Sequence, residues 1–390
     1  MRPFKVFLLI ESSRASGRHL LEGIVRYAHH HGPWSFYWEP RGLQADRATL
    51  KQLDVDGVIF RDVQLLKREV LQRGLPAVVV GHGSREIRGL INVVTDSATI
   101  GRMAAEHLLQ CGFKHFAFCG LVGKGSQQLP WSKDRFEALS SSLAEAGFRR
   151  PQAHILARPG KDWPGQRRRL ADWLSKLPTP VGLMACNDDC GVQVAEACKM
   201  AGRRVPDEVG IVGVDNDEVV CGLCDPPMTS IDINFERAGY EAAQALELLM
   251  RKSRRVPAKI IVLASRLVPR RSTDFVAVED SCLAKALIFM RDHASSPFSV
   301  TEVAHAVGAS RRSLERRFRK EMGVSILHEI RRVRTDEIAR LLLETTLPVN
   351  QIAEKLGFED EQHFARYFGS ARKLRPLAFR KAYGKLVNGA

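Results

Sequence analysis

The chain repeats one short pattern in its C-terminal part, VAHAVG at 303–308 and IAEKLG at 352–357. The glycine that ends each copy supplies the positive φ that a tight turn between helices needs. Each copy is followed by a second helical pattern with two apolar residues four positions apart. These pairs are Leu314 with Phe318 and Phe364 with Phe368. An apolar helix, a glycine turn and a second helix make a helix-turn-helix, so the repeat predicts an all-α domain with two such units.

Polar residues stand where the helices of these units begin. Ser299 is followed three positions later by Glu302, which predicts a capping box. Ser310 and Asp360 precede the second helix of each unit and predict side-chain caps. Matching caps at matching places indicate that both copies fold in the same way.

The second helix of each unit carries polar side chains on the face opposite its apolar pair. Arg312 and Arg316 lie on that face in the first unit, and Gln362 and Arg366 in the second. Arginine suits guanine, glutamine suits adenine, and Glu315 beside the first pair can accept a hydrogen bond from cytosine. These five side chains are the candidate DNA-reading residues. The alternative is a solvated charged face on an ordinary amphipathic helix.

A helical pattern from Ile330 to Thr345 connects the two units and is expected to fix their spacing. It carries four arginines, which are either phosphate contacts, positioning the protein without reading sequence, or solvated surface charge. They are Arg331, Arg332, Arg334 and Arg340.

This segment resembles the DNA-binding domain of the AraC family of transcription regulators. The residues that carry the likeness are Arg334, Ala339, Leu342, Leu343, Thr345, Thr346, Ile352, Ala353, Gly357, Phe358, Phe364, Arg366, Phe368, Pro376, Phe379 and Arg380. The chain departs from the family at two positions: Phe379 replaces a tyrosine, and Lys373 stands where a glycine is expected. The resemblance implies that the segment binds DNA.

The charge of the chain points to the same partner. The 390 residues have a net charge of +15, with 20 basic and 12 acidic residues in 281–390 and 39 and 32 in the first 280. The denser basic excess near the C-terminus favours double-stranded DNA as a partner. We expect two domains, a ligand-sensing domain at 1–275 and a DNA-binding domain at 276–390.

The apolar content indicates a cytoplasmic protein without a membrane partner. No stretch reaches the roughly 20 apolar residues of a transmembrane helix. The run from Phe4 to Ile10 is short and predicts a first strand rather than a signal peptide. The eight cysteines are scattered, so we expect reduced thiols. We expect no metal and no cofactor, because Cys221 and Cys224 lack a second pair or nearby histidines.

An alternative function stays open at this point, that of a DNA-binding regulator with an enzymatic N-terminal domain. An example is an alkyl-transfer repair regulator that sacrifices a cysteine, and such a domain needs a reactive thiol. Only the pair formed by Cys221 and Cys224 suggests one. No nucleophile elbow or metal-binding pair places the serines, histidines and aspartates for catalysis, so we expect no enzyme.

Short apolar runs alternate with helical patterns through the first 275 residues, which predicts an α/β fold with parallel sheets. The runs are Lys5–Ile10, Gly57–Phe60, Ala77–Val80, His115–Cys119, Ala153–Leu156, Val181–Cys186 and Val209–Val214. They form two series with the glycine-rich stretch Gly120 to Gly125 between them. We therefore expect two lobes joined by a hinge at this stretch, with a ligand held between them.

Ligands of such lobes bind at the carboxyl ends of strands, and polar side chains follow several of the predicted strands. Carboxylates, amides and guanidinium groups can bond neighbouring hydroxyls of a sugar, and a tryptophan can cover its apolar face. The candidate ligand-binding residues are Arg14, Arg18, Trp131, Arg135, Asp188, Asp215 and Asn216. Other roles remain possible, since Asp188 and Asp215 can cap helices or turns and Trp131 can belong to the core.

This N-terminal segment resembles the sensor of LacI/GalR regulators, which is related to periplasmic binding proteins. The residues that match are VGVDN at 212–216, PMTSID at 227–232, Gly239 to Ala243 and RST at 271–273. The resemblance implies a two-lobed, periplasmic-binding-protein-like sensor for a sugar. Together with the AraC-like segment it implies a transcription activator that responds to a pentose. LacI-like lobes usually pair, so we also expect a homodimer.

Overall fold

The structure is a computed structural model, which describes residues 2–39, 54–61, 70–81, 86–122, 128–157, 163–253, 255–274 and 280–383. The chain divides into two compact units. One takes in Met1–Glu106 and His115–Thr273, and the other takes in His107–Lys114 and Asp274–Ala390. We describe each unit by itself.

The first of these units, which we call the sensor unit, has two lobes. Its first lobe is built on a parallel six-stranded sheet with the order β11-β5-β4-β3-β1-β2. Its strands are β1 (Phe4–Leu9), β2 (Trp34–Trp38), β3 (Gly57–Arg61), β4 (Ala77–Val80), β5 (Ile91–Thr95) and β11 (Lys259–Val262). Helix α1 (Ala15–His31) follows β1 and packs along α7 (Phe235–Met250).

The second lobe has its own six-stranded sheet with the order β12-β10-β9-β8-β6-β7. Its strands are β6 (His115–Leu121), β7 (Gln152–Leu156), β8 (Val181–Ala185), β9 (Val209–Asp215), β10 (Thr229–Ile233) and β12 (Ala264–Val268). Only β12, on β10, is antiparallel among these described strands. The helices between strands are α2 (Ser97–Gln110), α3 (Pro130–Glu145), α4 (Trp163–Ser175), α5 (Asp188–Met200) and α6 (Glu218–Leu223).

Strands at the centre of both sheets are buried along all or nearly all of their length. Strands β3, β4 and β8 have no residue that is even partly exposed. Helices cover both faces of parallel sheets, and this explains why these strands are continuous apolar runs without alternation. The predicted fold class, two parallel-sheet α/β lobes followed by a helical domain, is confirmed.

The place where the chain passes between the lobes differs from our expectation. We expected the crossing at Gly120 to Gly125, and this was wrong, because Gly120 lies in β6, which pairs with β7 and β8 of the second sheet. The chain crosses earlier, between β5 and β6, and again between β10 and β11 and between β11 and β12. An apolar run does not reveal which sheet it joins, since pairing is non-local. Residues 123–127 lie outside the described residues.

Residues 280–383 of the second unit form seven helices. They are α8 (Ser281–Asp292), α9 (Val300–Ala306), α10 (Arg311–Met322), α11 (Ile326–Glu344), α12 (Val349–Lys355), α13 (Glu361–Arg372) and α14 (Pro376–Tyr383). They surround two cores. Leu314 and Phe318 pack with α8 and α9 in one core, and Phe364 and Phe368 pack with α11 and α12 in the other.

The predicted caps and turns of this unit are confirmed. Ser299 and Glu302 form the capping box of α9. Ser310 accepts from the backbone of Ser313 at 3.3 Å and so caps α10. The turn glycines have φ of 67° at Gly308 and 72° at Gly357, in the left-handed region that favours glycine. Asp360 likewise caps α13.

Candidate functional site

A small cavity lies between the two lobes of the sensor unit. It encloses about 230 Å³, including space open to solvent, and its walls are mainly polar. The lining residues are Arg14, Ala15, Ser16, Asp188, Asp189, Asp215, Asp217 and Val220. The lining side chains lie close together, and the enclosed part of this space holds about one water molecule. A larger ligand enters only when the lobes or these side chains move apart.

Asp215 holds a strained position at the end of β9. Its φ is 109° and that of Asn216 is 50°, in a region of backbone conformation that residues other than glycine adopt uncommonly. The carboxylate lies 3.9 Å from the guanidinium of Arg135, too far for a hydrogen bond. Burial raises the pKa of Asp215, and the charges of Arg135, Arg61 and Arg14 oppose that rise. Strain of this kind gathers at functional sites, where the surrounding fold maintains it.

Arg135 is buried on α3 and is oriented by its neighbours. It donates to the carbonyl oxygen of Cys186, and its guanidinium lies 4.9 Å from the ring centre of Trp131. Burial lowers the pKa of Arg135. Trp131 is partly buried and reaches the site through this stacking contact, rather than as one of the lining residues above.

Asp188 lines the cavity, but the protein already uses both of its oxygens. Ser230 Oγ donates to Oδ1 at 2.6 Å, and the backbone N–H of Asp217 donates to Oδ2 at 2.8 Å. Burial and the nearby Asp215 raise the pKa of Asp188 to about 7. Asp188 therefore fixes the backbone of Asp217 and can share an oxygen with a ligand only as a further acceptor.

Two of the alternative roles that the sequence left open are wrong. The cap of α5 is Asn187, which accepts from Cys190, rather than Asp188. The cap of α6 is Asp217, which accepts from Val220, rather than Asp215. The capping residue is in each case the neighbour of the one we considered, because helix ends cannot be placed to a single residue from sequence.

The remaining predicted ligand residues are bound to other parts of the sensor. Arg14 forms an ion pair with Asp189 of the other lobe. Arg18 donates to the carbonyl oxygen of Ser12 at 2.9 Å and is exposed. Asn216 accepts from Arg270 at 2.8 Å through its side-chain oxygen.

Sequence reasoning missed a buried ion pair in the first lobe. Arg61 ends β3, lies 3.5 Å from Glu11 and donates to Ser16 Oγ at 3.1 Å. The positive charge of Arg61 opposes the rise in the pKa of Asp215 that burial causes. Ser16, its partner, lines the cavity. The strand-end rule that selected Arg14 applies equally to Arg61, and this signal could have found it.

In the second unit, the structure leaves the predicted DNA-reading side chains accessible. Arg312 and Arg316 on α10 are exposed, as are Gln362 and Arg366 on α13. Glu315 is partly buried and pairs with Arg311 at 2.9 Å, so it is less free than the arginines. The apolar pairs of the same helices are buried, so each helix shows opposite faces to the core and to solvent.

Three of the four arginines on α11 are bound within the unit. Arg332 pairs with Glu329 and Asp336, Arg340 pairs with Glu337, and Arg334 donates to a carbonyl oxygen at 2.6 Å. Arg331 is exposed and lies over the ring of Tyr367. Among the four, Arg331 is therefore the best placed for a phosphate contact.

The thiols of Cys221 and Cys224 are unsuited to nucleophilic chemistry. Both are buried, and burial raises the pKa of Cys221 well above its usual range and that of Cys224 to about 11. A sacrificial cysteine needs a thiolate, which such surroundings disfavour. The described residues bring together no cluster of three histidine, cysteine or carboxylate side chains suited to a metal. None of the described helices has the length and hydropathy needed to cross a membrane.

Comparison with known proteins identifies both parts of the chain. Residues 105–273 match a periplasmic binding protein-like domain, and residues 303–382 match a helix-turn-helix domain. The xylose operon regulatory protein of Escherichia coli is 29% identical over 389 residues, 98% of each chain. The multiple antibiotic resistance protein MarA of Salmonella typhimurium is 33% identical over 111 residues, 28% of this chain and 84% of MarA.

A solved structure supports the same relationship. The structure of a xylose-binding transcription activator has a TM-score of 0.62 and 28% identity, covering 98% of this chain and 99% of that one. The likeness extends through both the sensor unit and the helical unit. It therefore covers the order of the domains as well as their separate folds.

Proposed function

Because this chain belongs to the AraC-type transcription regulators and carries a periplasmic-binding-protein-like sensor, we propose that a pentose controls its binding to DNA. It is a sugar-responsive, DNA-binding regulator. D-xylose is the first candidate effector, since relatives along the whole chain are named for xylose. We further propose that it activates genes for the use of that sugar.

The observation that carries the effector proposal is the cavity at Asp215. Its lining residues come from both lobes and are mostly polar, and the Asp215 carboxylate accepts no side-chain hydrogen bond from the described residues. Asp215 accepts from sugar hydroxyls, and Arg135 donates to the hydroxyl beside it. Arg14 and Asp188 line the same cavity and complete the set of groups around the ligand. Trp131 positions Arg135, Asn216 is held by Arg270, and Arg18 holds the loop carbonyl of Ser12. A ligand that touches both lobes favours their closed arrangement.

On the DNA side, we propose that the two recognition helices, α10 and α13, enter successive major grooves. Arg312 and Arg316 read bases from α10, with Glu315 beside them, and Gln362 and Arg366 read bases from α13. The supporting observation is that four of these five side chains are exposed, on the face of each helix opposite its buried apolar pair. The fifth, Glu315, is paired with Arg311. The two contacts lie about one helical turn of DNA apart.

We also propose a homodimer that acts in the cytoplasm, where its DNA target lies. Symmetric dimers are the commonest oligomers. Pairing through the sensor would bring two DNA-binding domains to one stretch of DNA. Sedimentation of the full chain at micromolar concentration tests this. A monomer both with and without DNA would contradict the proposal.

Calorimetry tests the effector proposal. The parent should bind D-xylose, or else arabinose or ribose, and Asp215→Ala should weaken binding by about tenfold or more because it removes a hydrogen-bonded charge. Lys133→Ala, at an exposed position on α3 in the same lobe, is the control and should bind like the parent. Absence of binding of any pentose or common hexose at millimolar concentration would reject the sugar assignment.

A further inference from the structure

The first turn of α1 meets the second lobe through one carboxylate. The backbone N–H of Ala15 donates to Oδ2 of Asp217 at 2.9 Å, and the contact is buried. Ala15 is the first residue of α1, and its preceding residue, Arg14, offers no side-chain cap. The first N–H groups of a helix have no partner within the helix. Asp217 therefore supplies from the second lobe what α1 lacks in the first.

The same carboxylate also caps a helix of its own lobe. Oδ1 of Asp217 accepts from the backbone N–H of Val220 at 3.4 Å and so caps α6. The backbone N–H of Asp217 is held at 2.8 Å by Asp188, which keeps the carboxylate in place. One side chain thus serves the N-termini of two helices in opposite lobes, at the wall of the cavity.

An ion pair next to this contact joins the same two lobes. Arg14 pairs with Asp189 in the first turn of α5. The side chains are 50% and 35% exposed, so solvent screens this pair and the buried bond to Asp217 is the stronger contact. Both contacts can exist only while the lobes are closed.

We propose that Asp217 is a closure latch, which sets how much of the sensor is closed before an effector arrives. In the open sensor Asp217 still caps α6 but leaves Ala15 to water. Of these two bonds, opening therefore breaks only the one to the N-terminus of α1. An effector that binds the closed lobes has an apparent affinity scaled by the closed fraction, so the latch adjusts sensitivity by setting that fraction. This inference rests on the proposed sugar site, whose regulation it describes.

Two variants remove the latch from opposite sides. Ala15→Pro deletes the N–H donor at the first position of α1, where proline is tolerated and Arg14 already has an extended backbone. Asp217→Ser keeps a good cap for α6 but is too short to reach across the cavity. Ser310→Asn, at the cap of α10 outside the sensor, is the control for a changed cap away from the cavity.

The test combines amide hydrogen exchange and D-xylose calorimetry on the full-length chain. Each latch variant should increase exchange in the cavity segments of both lobes without sugar. Each should also weaken apparent D-xylose affinity by about tenfold. The double variant should be no worse than the worse single one, because both changes delete one bond. Ser310→Asn should do neither.

The results separate the latch from the sugar assignment. Exchange and affinity like those of the parent in both variants, or losses that add in the double variant, would overturn the latch. Faster exchange in both variants, with no increase beyond the worse single change in the double one, supports the latch even if the parent binds no D-xylose. In that case the proposed effector alone is rejected.

Discussion

The two helix-turn-helix units share a fold but differ in the chemistry of their recognition helices. Helix α10 carries six basic and two acidic side chains, whereas α13 carries two basic and one acidic. Behind α13, the rings of Phe358, Phe364 and Tyr367 pack edge to face, while the core of the first unit is mostly aliphatic. The two copies therefore agree at the positions that fold the helices and differ at the exposed positions proposed to face DNA.

This difference suggests a division of work between the units. Dense positive charge gives attraction to phosphates that does not depend on sequence and weakens with salt. A less charged helix with a glutamine and an arginine depends more on hydrogen bonds to base edges. The first helix-turn-helix unit should therefore contribute more to the salt dependence of DNA binding, and both helix-turn-helix units should contribute to base reading.

The largest expected effect comes from removing, from each helix-turn-helix unit, one arginine that we propose to read bases. Arg312→Ala and Arg366→Ala should each weaken specific DNA binding by about 1–3 kcal/mol and relax the sequence preference at one position. The two relaxed positions should lie about ten base pairs apart. Binding to a set of single-base operator variants measures both effects.

A control separates base reading from general charge in this experiment. Lys285→Ala removes an exposed charge from α8 and should lower affinity alike for all sequences, if at all. A footprint with only one protected groove segment per protomer would break the comparison, because one unit would then bind without the other.

A smaller effect is expected at the ends of the recognition helices. Gly323 ends α10 with φ 71°, and Lys373 ends α13 with φ 58°. The second helix-turn-helix unit therefore places a lysine in a left-handed conformation where the first has a glycine. Lys373→Gly should stabilise the DNA-binding domain by about 1 kcal/mol by relieving this strain. Gly323→Ala should destabilise it by a similar amount. Urea unfolding of the full chain measures both, and a destabilising Lys373→Gly would show that the lysine makes a compensating contact.

The smallest effect is a difference in acid sensitivity between the two recognition helices. Asp360 accepts from the backbone N–H groups of Gln362 and His363 at 2.9 and 3.0 Å, and these bonds hold its pKa below the usual 3.8. A depressed pKa adds stability at neutral pH that is lost as the pH falls below about 4. Ser310 caps α10 with a hydroxyl and has no such dependence.

Amide exchange, corrected for its intrinsic pH dependence, measures this difference. Protection of α13 should fall relative to α10 on acidification, and Asp360→Ser should remove the difference. Equal loss of protection in both helices of the parent would mean that the caps do not control it.

The helical domain was more predictable than the sensor because its signals are local. Ser299, Ser310 and Asp360 act within three residues of their own positions, so sequence alone identified them. The cavity depends on contacts between distant residues. The strand-end rule gave Asp188 and Asp215, and applied to β3 it could have given Arg61, which pairs with Glu11 inside the first lobe. The double role of Asp217 exists only where the two lobes meet.

The central claim, that a sugar in the sensor controls DNA binding, is tested by one titration. DNA selected by the chain itself from random sequence is titrated with the full-length protein, with and without saturating D-xylose. The sugar should change the Kd for DNA by about 5–150-fold, and Asp215→Ala should abolish the change. A Kd that stays the same while calorimetry shows the sugar bound would contradict the account.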